Sequence, residues 1–369
     1  MTGRRVIMIA PRAAEPIVVG LPFDIGGSVQ PPIDRLGRRW HDLRISLTDR
    51  CNFRCGYCMP KAAFGRGHVF LKQDRLLDFG EIARIARAGV ALGVRTLRLT
   101  GGEPLLRKGV EELVGVLRGI DADIDIAMTT NGSLLRRKAV ALRRAGLDRL
   151  TLSMDAIDDR VFRIMNDVDF GVAEVLAGLD AAIDAGFTGT KVNMVVRRGL
   201  NDDQIVPMAQ HLRDRYRGAV ELRFIEYMDV GHSNGWDRGE VVVSERVVER
   251  LHARFPLEPA AAGRPSATAA RWRYLDGLGH IGTISSVSDP FCGDCVRARL
   301  SPDGRLFTCL FAGQGSDLRP YLRADGTDAG LRAALRAVWR DRADRYSELR
   351  GTPSVDARPQ RVEMHYIGG

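Results

Sequence analysis

Lysine is scarce in this sequence: five lysines stand against fifty arginines, and the formal net charge is +9. A positive charge of this size is compatible with nucleic-acid binding. However, a ratio of ten arginines to one lysine indicates a biased composition rather than a binding surface. In addition, arginines such as Arg84, Arg136 and Arg143 fall on predicted helices, where a solvent-exposed position is usual. We therefore expect no nucleic-acid partner. The excess does suit a polyphosphate substrate, because guanidinium groups pair with phosphate oxygens.

Long apolar runs are also missing. Residues 6–10 are apolar but end at Pro11, and residues 17–20 end near Pro22. Both runs are too short for a membrane span or for the apolar region of a signal peptide. We therefore expect a cytoplasmic protein with no membrane partner, in a reducing compartment that keeps thiols available for metal.

Cysteine is sparse as well, with six in 369 residues, yet three of them lie close together at Cys51, Cys55 and Cys58. A loop with this C-x3-C-x2-C spacing can place three thiolates around one inorganic centre. On a [4Fe–4S] cube, three thiolates leave one iron open to another ligand. A structural zinc site normally has four ligands, and His41 or His68 could complete such a site, but neither lies at a recurrent distance. A disulfide set is disfavoured because three is an odd number and no secretory signal is present.

The other three cysteines, Cys292, Cys295 and Cys309, form a second set with C-x2-C-x13-C spacing. This spacing is ambiguous by itself, because C-x2-C followed by a distant ligand is common at zinc sites, and His280 could supply a fourth ligand. Repetition of the odd count favours a second cluster with an open iron. Both interpretations remain open on the spacing alone.

From residue 43 onward the sequence repeats a short apolar run, a polar loop and an amphipathic helix. The pattern predicts strands at 43–47, 96–100, 124–129, 149–154, 191–196 and 221–227. It predicts helices between them at 79–92, 110–118, 134–145, 172–185 and 203–216. Alternation of this kind indicates an α/β fold of parallel strands with right-handed crossovers. Six units rather than eight predict a partial (β/α)6 TIM-like barrel, open on one side.

Three regions are predicted along the chain. Residues 1–36 are rich in proline without periodicity and are interpreted as a flexible N-terminal extension. Residues 37–239 form the partial barrel. Residues 240–369 form a C-terminal α+β region with the second cysteine set, in which we expect a connector at 257–270, strands at 271–274 and 280–285, and a hairpin at 299–310.

Polar or glycine-rich motifs follow five of the predicted barrel strands. They are the first cysteine loop and the segments at 100–104, 129–132, 153–155 and 228–229. The loops at the carboxyl ends of barrel strands build the active site in such folds. The sequence therefore predicts that these motifs converge on one mouth.

Three motifs carry a resemblance to a known family. Residues 43–60 read LRISLTDRCNFRCGYCMP and resemble the signature of radical S-adenosylmethionine (SAM) enzymes. Residues 291–300, FCGDCVRARL, and 304–311, GRLFTCLF, resemble the C-terminal motif of the GTP 3',8-cyclase family, which performs the first step of molybdenum cofactor biosynthesis. The likeness runs from about residue 36 to residue 369.

The resemblance implies two [4Fe–4S] clusters and SAM as cofactors. The first cluster falls to Cys51, Cys55 and Cys58, with SAM on its open iron, and the second to Cys292, Cys295 and Cys309, with the guanine of GTP on its open iron. In this family a 5'-deoxyadenosyl radical abstracts hydrogen from C3' of GTP, and attack on C8 leads to (8S)-3',8-cyclo-7,8-dihydroguanosine 5'-triphosphate.

Further roles follow from the resemblance residue by residue. SAM contacts fall to Tyr57, Gly102, Ser153 and Met228. GTP contacts fall to Arg44, Arg98, Thr129, Lys191, Arg297 and Arg299. Catalytic roles fall to Arg223, Gly368 and Gly369.

Structural alternatives exist for several of these residues. Ser153 could cap a helix, and Gly368 and Gly369 could be a frayed tail. A cation such as Arg98 within a strand requires either a bound phosphate or a buried carboxylate partner.

The resemblance also implies partners for this protein, and alternative functions exist. Besides GTP, we expect an electron donor of unknown identity. We also expect the product to pass to the next enzyme of the pathway, cyclic pyranopterin monophosphate synthase. A homodimer is a further possibility. The alternative function is another radical SAM enzyme with an auxiliary cluster, acting on a peptide or RNA. An electron-transfer or sensor protein would be expected to close its clusters with four cysteines each.

Overall fold

The computed structural model describes residues 30–261, 267–323, 326–352 and 360–369. Most of the predicted N-terminal extension, residues 1–29, lies outside the described residues, as do residues 262–266 of the predicted connector. Residues 30–36 contain Asp34, which is buried and accepts a hydrogen bond from Arg38 Nε at 2.7 Å. Arg342 Nη1 also donates to Asp34, at 3.3 Å. This stretch is therefore tied to the C-terminal part of the chain.

The six predicted barrel strands are present, with ends within one residue of the prediction. They are β1 Asp42–Ser46, β2 Thr96–Thr100, β3 Asp125–Thr130, β4 Arg149–Ser153, β5 Thr190–Val196 and β6 Val220–Glu226. The C-terminal region adds β7 Leu257–Ala260, β8 Ala270–Tyr274, β9 His280–Ile284, β10 Arg297–Leu300, β11 Arg305–Phe307 and β12 Ser316–Asp317.

Helices connect the strands, and the five that the sequence predicted are confirmed. In chain order they are α1 Lys61–Phe64, α2 Phe79–Ala91, α3 Val110–Arg118, α4 Leu135–Arg144, α5 Asp159–Asn166, α6 Val172–Asp184, α7 Ile205–Tyr216, α8 Ser244–Arg254, α9 Arg319–Leu322, α10 Asp328–Arg340 and α11 Met364–Ile367. Local chemistry sets their ends: α2 begins with a capping box in which Asp78 accepts from the Glu81 amide and Glu81 accepts from the Asp78 amide. None of the helices in the described residues is long and apolar enough to cross a membrane.

All twelve strands form one sheet in the order β12-β11-β10-β1-β2-β3-β4-β5-β6-β9-β8-β7. The strands from β10 through β1–β6 to β9 are parallel to one another. This α/β sheet of parallel strands confirms the predicted fold class. The C-terminal region also extends the six-stranded unit on both sides, since β10 pairs with β1 and β9 pairs with β6. Local periodicity predicted those strands but not their partners, which lie far away along the chain.

Two details of the C-terminal region can be compared with the prediction. The predicted connector at 257–270 is wrong in part, because Leu257–Ala260 forms β7 and pairs antiparallel with β8. Pro259 lies in this strand, at the edge of the sheet, where a missing backbone donor is tolerated. The predicted hairpin is confirmed, with Leu300 opposite Leu306, and it begins two residues earlier, at Arg297.

A single large hydrophobic core lies between the sheet and the helices. Trp40 precedes β1 and stacks on Trp339 of α10, with ring centroids 5.6 Å apart. Both rings are fully buried, so the C-terminal helix closes the core beside β1.

Candidate active site

One cavity of about 900 Å³ runs along the inner face of the sheet. It extends from residues at the amino ends of strands, such as His41 and Lys191, to the loops at their carboxyl ends. The five predicted motif segments contribute to its wall. Of the predicted site residues, all except Gly368 line it: Cys51, Cys55, Tyr57, Cys58, Gly102, Ser153, Met228, Arg44, Arg98, Thr129, Lys191, Arg223, Cys292, Cys295, Arg297, Arg299, Cys309 and Gly369.

The first cysteine loop lies between β1 and α1 and is held by a backbone turn. The Cys58 amide donates to the Cys55 carbonyl at 2.9 Å. The Phe53 amide and Asn131 Nδ2 both donate to Cys51 Sγ, at 3.4 and 3.7 Å. Donors directed at sulfur stabilise a thiolate, which is the form that binds iron.

Burial and mutual repulsion oppose the ionisation of these thiols. Burial, with the nearby carboxylate of Glu103, raises the pKa of Cys51 to about 11. Burial, Asp155 and the two neighbouring thiols likewise raise the pKa of Cys55. The thiols are free and close enough to oppose one another's ionisation, so three thiolates together need a cationic centre.

In the described parts of the chain, no three His, Cys, Asp or Glu side chains are grouped to hold one metal ion. A cluster requires one thiolate on each of three irons, which the loop can supply. Of the histidines considered as zinc ligands, His68 packs against the rings of Phe64 and Phe70.

Gly101 and Gly102 pack directly against the cysteine loop. A Cβ atom at Gly102 would lie 2.1 Å from the Arg50 carbonyl oxygen, and one at Gly101 would lie 2.7 Å from the Thr48 carbonyl oxygen. The Gly102 amide donates to the Thr48 carbonyl at 2.7 Å. The glycines are therefore required for the close approach of two backbone segments, a reason that the sequence did not reveal.

Glu103, the residue after this glycine pair, is a buried carboxylate beside the first cysteine loop. It accepts from the amides of Leu105 and Asn131 and from Thr130 Oγ1, at 3.0, 2.8 and 2.7 Å. Burial outweighs these donors and raises the pKa of Glu103 to about 7. The sequence placed Glu103 in a motif without predicting this role.

Asp155 is a second buried carboxylate and holds Tyr57. The Tyr57 hydroxyl donates to Asp155 Oδ2 at 2.8 Å, and the Val195 amide donates to Oδ1 at 2.9 Å. Burial raises the pKa of Asp155 to about 6 against these two donors. Ser153, two residues earlier, lines the cavity and does not cap the following helix, since Asp158 caps α5.

The second cysteine set combines a loop before β10 with the turn after β11. Two buried arginines hold its backbone: Arg38 Nη1 donates to the Cys292 carbonyl at 2.7 Å, and Arg342 Nη1 donates to the Cys295 carbonyl at 2.6 Å. The Phe311 amide donates to Cys309 Sγ at 3.5 Å. The three thiols line the same cavity as the first set.

The thiols of the second set differ in their ionisation. Burial by itself would raise the pKa of Cys295, but the guanidinium groups of Arg297 and Arg342 outweigh it and lower the pKa to about 6. Burial, with Asp344, raises the pKa of Cys309 to about 12. His280, the fourth ligand considered for zinc, lies at the start of β9, and the charged groups that act on it are Arg271, Glu221 and Arg273.

Several positively charged side chains lie on neighbouring strands of the sheet, at matching positions in the strand register. The register places Arg44 opposite both Arg98 and Arg299. Burial, followed by Arg44 and Arg297, lowers the pKa of Arg299. Burial, with Arg223 and Arg149, lowers the pKa of Lys191 to about 8. This mutual repulsion would be relieved by a bound polyanion.

Some of these cations already contact protein groups. Arg223 Nε donates to Glu221 Oε1 at 2.6 Å, and Arg271 Nε donates to Glu221 Oε2 at 3.0 Å. Arg98 Nη1 lies 3.4 Å from Thr129 Oγ1. Of the strand cations for which the sequence left a carboxylate partner open, Arg44 has one, since its Nε lies 3.9 Å from Asp42 Oδ1. Asn193 adds a residue that the sequence missed: its Oδ1 is buried in the cavity wall with no hydrogen-bond partner among the described residues.

The last residues enter the same region and are not frayed. Ile367 at the end of α11 is fully buried, and the Gly368 carbonyl accepts a hydrogen bond from Arg299 Nη1. Gly368 has φ +74°, and a Cβ atom there would lie 1.9 Å from Thr100 Oγ1, so only glycine fits. Gly369 lines the cavity.

Solved structures share this fold. The crystal structure of Streptococcus suis SuiB bound to S-adenosylmethionine matches with a TM-score of 0.57 at 15% sequence identity, covering 82% of this chain and 66% of that chain. The same protein bound to precursor peptide SuiA matches with a TM-score of 0.55, covering 81% of this chain and 67% of that chain. At 15% identity these likenesses show the fold alone.

Family models and curated relatives cover nearly the whole described chain. Residues 45–212 match the model of the Radical SAM superfamily, and residues 220–348 match the model Molybdenum Cofactor Synthesis C. A GTP 3',8-cyclase of Xanthomonas campestris pv. campestris is 51% identical over 342 residues, 93% of this chain and 98% of the relative. A GTP 3',8-cyclase of Acidothermus cellulolyticus is 46% identical over 363 residues, with 92% and 99% covered. The chain belongs to the GTP 3',8-cyclase family of radical SAM enzymes.

Proposed function

We propose that this chain converts GTP to (8S)-3',8-cyclo-7,8-dihydroguanosine 5'-triphosphate, the first step of molybdenum cofactor biosynthesis. The observation that carries the proposal is the content of one cavity: two sets of three free cysteines with a group of buried cations. Each set lacks one ligand for a [4Fe–4S] cluster, so each leaves room for a small molecule.

Cys51, Cys55 and Cys58 hold the first cluster, and the loops around them hold SAM. When bound, the cluster and SAM supply a 5'-deoxyadenosyl radical. Tyr57, Gly102, Ser153 and Met228 form the walls against SAM. Asp155 positions the cysteine loop through the Tyr57 hydroxyl. The carboxylate of Asp155 favours a cationic sulfonium ligand on this side of the cavity.

Cys292, Cys295 and Cys309 would hold the second cluster, which would bind the guanine of GTP. Arg297 and Arg299 lie on β10 beside this cluster and bind the nucleotide. The remaining predicted contacts with GTP, Arg44, Arg98, Thr129 and Lys191, lie on neighbouring strands of the same face. Buried guanidinium and ammonium groups suit a triphosphate, because the bound phosphates neutralise their repulsion.

Arg223, Gly368 and Gly369 act at the reacting part of the substrate. Arg223 is oriented by Glu221, and Gly368 by Arg299. The two glycines have no side chains, so the tail reaches the nucleotide without filling the pocket. Loss of water from this region protects a radical intermediate from side reactions.

A peptide or RNA substrate is the second candidate function. A solved structure with this fold, SuiB, was determined with a precursor peptide bound. The buried arginines of the present cavity favour a compact polyanion over a neutral peptide backbone. Curated relatives of nearly the same length are GTP 3',8-cyclases, which supports the nucleotide.

The electron donor, the enzyme that receives the product and the cellular location are also part of the proposal. An external electron donor reduces the first cluster, the product passes to cyclic pyranopterin monophosphate synthase, and the enzyme works in the cytoplasm, where the six free thiols stay reduced. Dimer formation is tested by light scattering of the reconstituted protein, with a mass near 40.7 kDa indicating a monomer.

The decisive experiment uses protein reconstituted anaerobically with iron and sulfide, then incubated with SAM, a reductant and GTP. We expect about eight irons per chain, formation of 5'-deoxyadenosine that requires GTP, and the cyclised nucleotide as product. ATP serves as the matched control, since it carries the same triphosphate on a different base. Formation of 5'-deoxyadenosine with a peptide or RNA but not with GTP would move the function to the second candidate.

A further inference from the structure

Asp229 is a buried carboxylate that follows Met228 at the carboxyl end of β6 and has no role in the proposed function so far. It is 6% exposed and accepts three hydrogen bonds. Arg350 Nε donates to Oδ1 at 2.9 Å, Arg361 Nη1 donates to Oδ2 at 2.6 Å, and the Tyr346 hydroxyl also donates to Oδ2. We call Asp229, Tyr346, Arg350 and Arg361 the Asp229 junction.

Asp229 is held in its charged form. Burial by itself would raise the pKa of Asp229, but the hydrogen bond from Tyr346 and the charges of Arg350 and Arg361 outweigh burial and lower it. A single carboxylate therefore offsets two guanidinium groups. An amide at this position would leave both cations without their counter-charge.

One arm of the junction leads to the second cysteine set. Tyr346 stacks on Phe311, with ring centroids 4.3 Å apart and an interplanar angle of 15°. Phe311 lies two residues after Cys309, and its amide donates to Cys309 Sγ at 3.5 Å. The Arg350 guanidinium lies over the Phe311 ring, 5.5 Å from its centroid, and donates to the Ser286 carbonyl at 3.0 Å.

The other arm leads to the C-terminal segment, residues 360–369. Arg361 binds Asp229, and the next residue, Val362, donates from its amide to the Ala312 carbonyl at 3.0 Å. The Arg361 carbonyl lies 3.0 Å from His232 Nδ1, in the loop that follows β6. The segment is thereby attached to the loop that follows β6 and to the turn that follows Cys309 of the second set.

The position of the tail depends on this attachment. After Val362, Met364 packs with Val230 and Phe311 in a small core of its own. The Gly368 carbonyl then accepts from Arg299 Nη1, and Gly369 lines the cavity. An anchor at Arg361 therefore limits where the final glycines can lie.

We propose that Asp229 is a positioning residue that seats the C-terminal segment against the loop after β6 and the turn after Cys309, and so places Gly368 and Gly369 in the reaction cavity. The inference deepens the proposed function and rests on it for the role of the glycines. Asp229 acts through Arg361 on the segment and through Tyr346 and Arg350 on the Cys309 turn. It need not touch SAM or GTP.

The test compares Asp229→Asn with the matched control Asp148→Asn in the reconstituted full-length protein. Asp148 also pairs with an arginine, Arg118, and accepts from the Ile126 amide, but it does not line the cavity. Hydrogen exchange is measured without GTP. We expect exchange in residues 361–369 to rise by about tenfold or more in Asp229→Asn, with iron content and exchange in β1–β5 unchanged, and no such rise in Asp148→Asn.

Turnover supplies a readout that a purely structural role would not move. In Asp229→Asn we expect kcat for cyclisation to fall by about a hundredfold, because a misplaced tail disturbs the reacting geometry. Cleavage of SAM should continue, so that 5'-deoxyadenosine exceeds the cyclised product. Asp229→Glu, which keeps the charge, should restore part of kcat.

Two outcomes overturn the inference. If the exchange of residues 361–369 in Asp229→Asn equals that of the wild type, Asp229 does not seat the segment. If Asp229→Asn loses iron or unfolds, the variant Arg361→Gln provides the test, because it removes only the contact between Asp229 and the C-terminal segment. Unchanged hydrogen exchange of residues 361–369 in Arg361→Gln would also reject the inference. A wild-type protein that protects the segment yet makes no product from GTP would reject the proposed function and leave the seating intact.

Discussion

The two cysteine sets have the same number of thiols but differ in the charged groups beside Cys51 and Cys55 on one side and Cys295 on the other. The first set lies beside two buried carboxylates, and Glu103 and Asp155 contribute to the raised pKa values of Cys51 and Cys55. The second set lies beside buried guanidinium groups, which outweigh burial and lower the pKa of Cys295 to about 6.

The difference matches the charge of what each side is proposed to bind. SAM carries a positive sulfonium group, and GTP carries a polyphosphate. Charge of opposite sign near a partly ligated cluster favours the correct small molecule and disfavours the other, because buried charges interact strongly. The two halves of the cavity therefore need no difference in cysteine number to select different ligands.

The largest expected effect separates the two sets by their metal. Cys55→Ala should abolish SAM cleavage and cyclisation together, and Cys309→Ala should abolish cyclisation while residual SAM cleavage persists. Each variant should retain about four of the eight irons. Iron analysis with assays of 5'-deoxyadenosine and product provides the check. Full cyclisation by Cys309→Ala would show that the second set is not a reaction centre.

A substitution on the cationic side should affect GTP more than SAM. Arg299→Gln removes a buried charge beside Arg44 and Arg297, and we expect KM for GTP to rise by about 10- to 100-fold, the value of a charge-assisted hydrogen bond. The KM for SAM should stay within about twofold.

Arg273→Gln is the matched control for this comparison, because Arg273 pairs with Glu258 at the exposed edge of the sheet. Steady-state kinetics at varied GTP and varied SAM distinguish the two. Equal increases in both KM values for Arg299→Gln would contradict the division of the cavity by charge.

A substitution on the acidic side should have the reverse effect. Asp155→Asn weakens the hold on the Tyr57 hydroxyl and removes a negative charge near Cys55. We expect KM for SAM to rise by about tenfold, with KM for GTP unchanged. The reduction potential of the first cluster should shift upward, because less negative charge surrounds it, and that of the second should stay constant. Redox titration followed by electron paramagnetic resonance measures both.

The smallest effect concerns pH and the C-terminal segment. Burial, with His68 and Arg54, lowers the pKa of His365 to about 3. In an undocked segment this histidine would titrate near its ordinary value of about 6.5. The undocked state therefore binds more protons, so docking weakens as pH falls below about 6.5 and continues to weaken toward pH 3.

Hydrogen exchange of residues 364–369, corrected for the intrinsic pH dependence, should thus rise about threefold between pH 7 and pH 6. His365→Phe should remove this dependence, since the ring still packs on Phe64 without titrating. The charged neighbours Arg54, Asp49 and Glu363 act on His68, which faces His365. An unchanged slope in His365→Phe would assign the pH effect to those neighbours.

Much of the barrel could be predicted from local pattern. The strand from Thr96 to Thr100 and the helix from Val110 to Arg118 have the bounds that the sequence indicated, because apolar runs and helical periodicity are local properties. The strand at Leu257–Ala260 was missed, since alanine and proline obscure an edge strand. Its existence depends on pairing with Ala270–Tyr274, which is a tertiary contact.

The candidate site was predictable in its residues and less so in its chemistry. The cysteine spacing and the motifs that follow strands identified residues that line one cavity in the structure. Gly102 was expected to let a ligand approach the backbone. In the structure a Cβ atom at Gly102 would instead collide with the Arg50 carbonyl. The roles of Asp155 and Asp229 depend on partners 98 and 132 residues away along the chain, Tyr57 and Arg361.

By itself, the sequence determined how many thiolates each half of the molecule supplies, and which segments are strands or helices, since spacing and periodicity are written along the chain. Only the tertiary structure decided that the C-terminal region supplies the neighbours of both β1 and β6, and that Asp229 links the tail to the turn after Cys309. It also decided that Arg297 and Arg342 lie near Cys295, whereas carboxylates lie near Cys51 and Cys55. The physical reason is that charge interactions and burial depend on distance in space, which the order of residues does not specify.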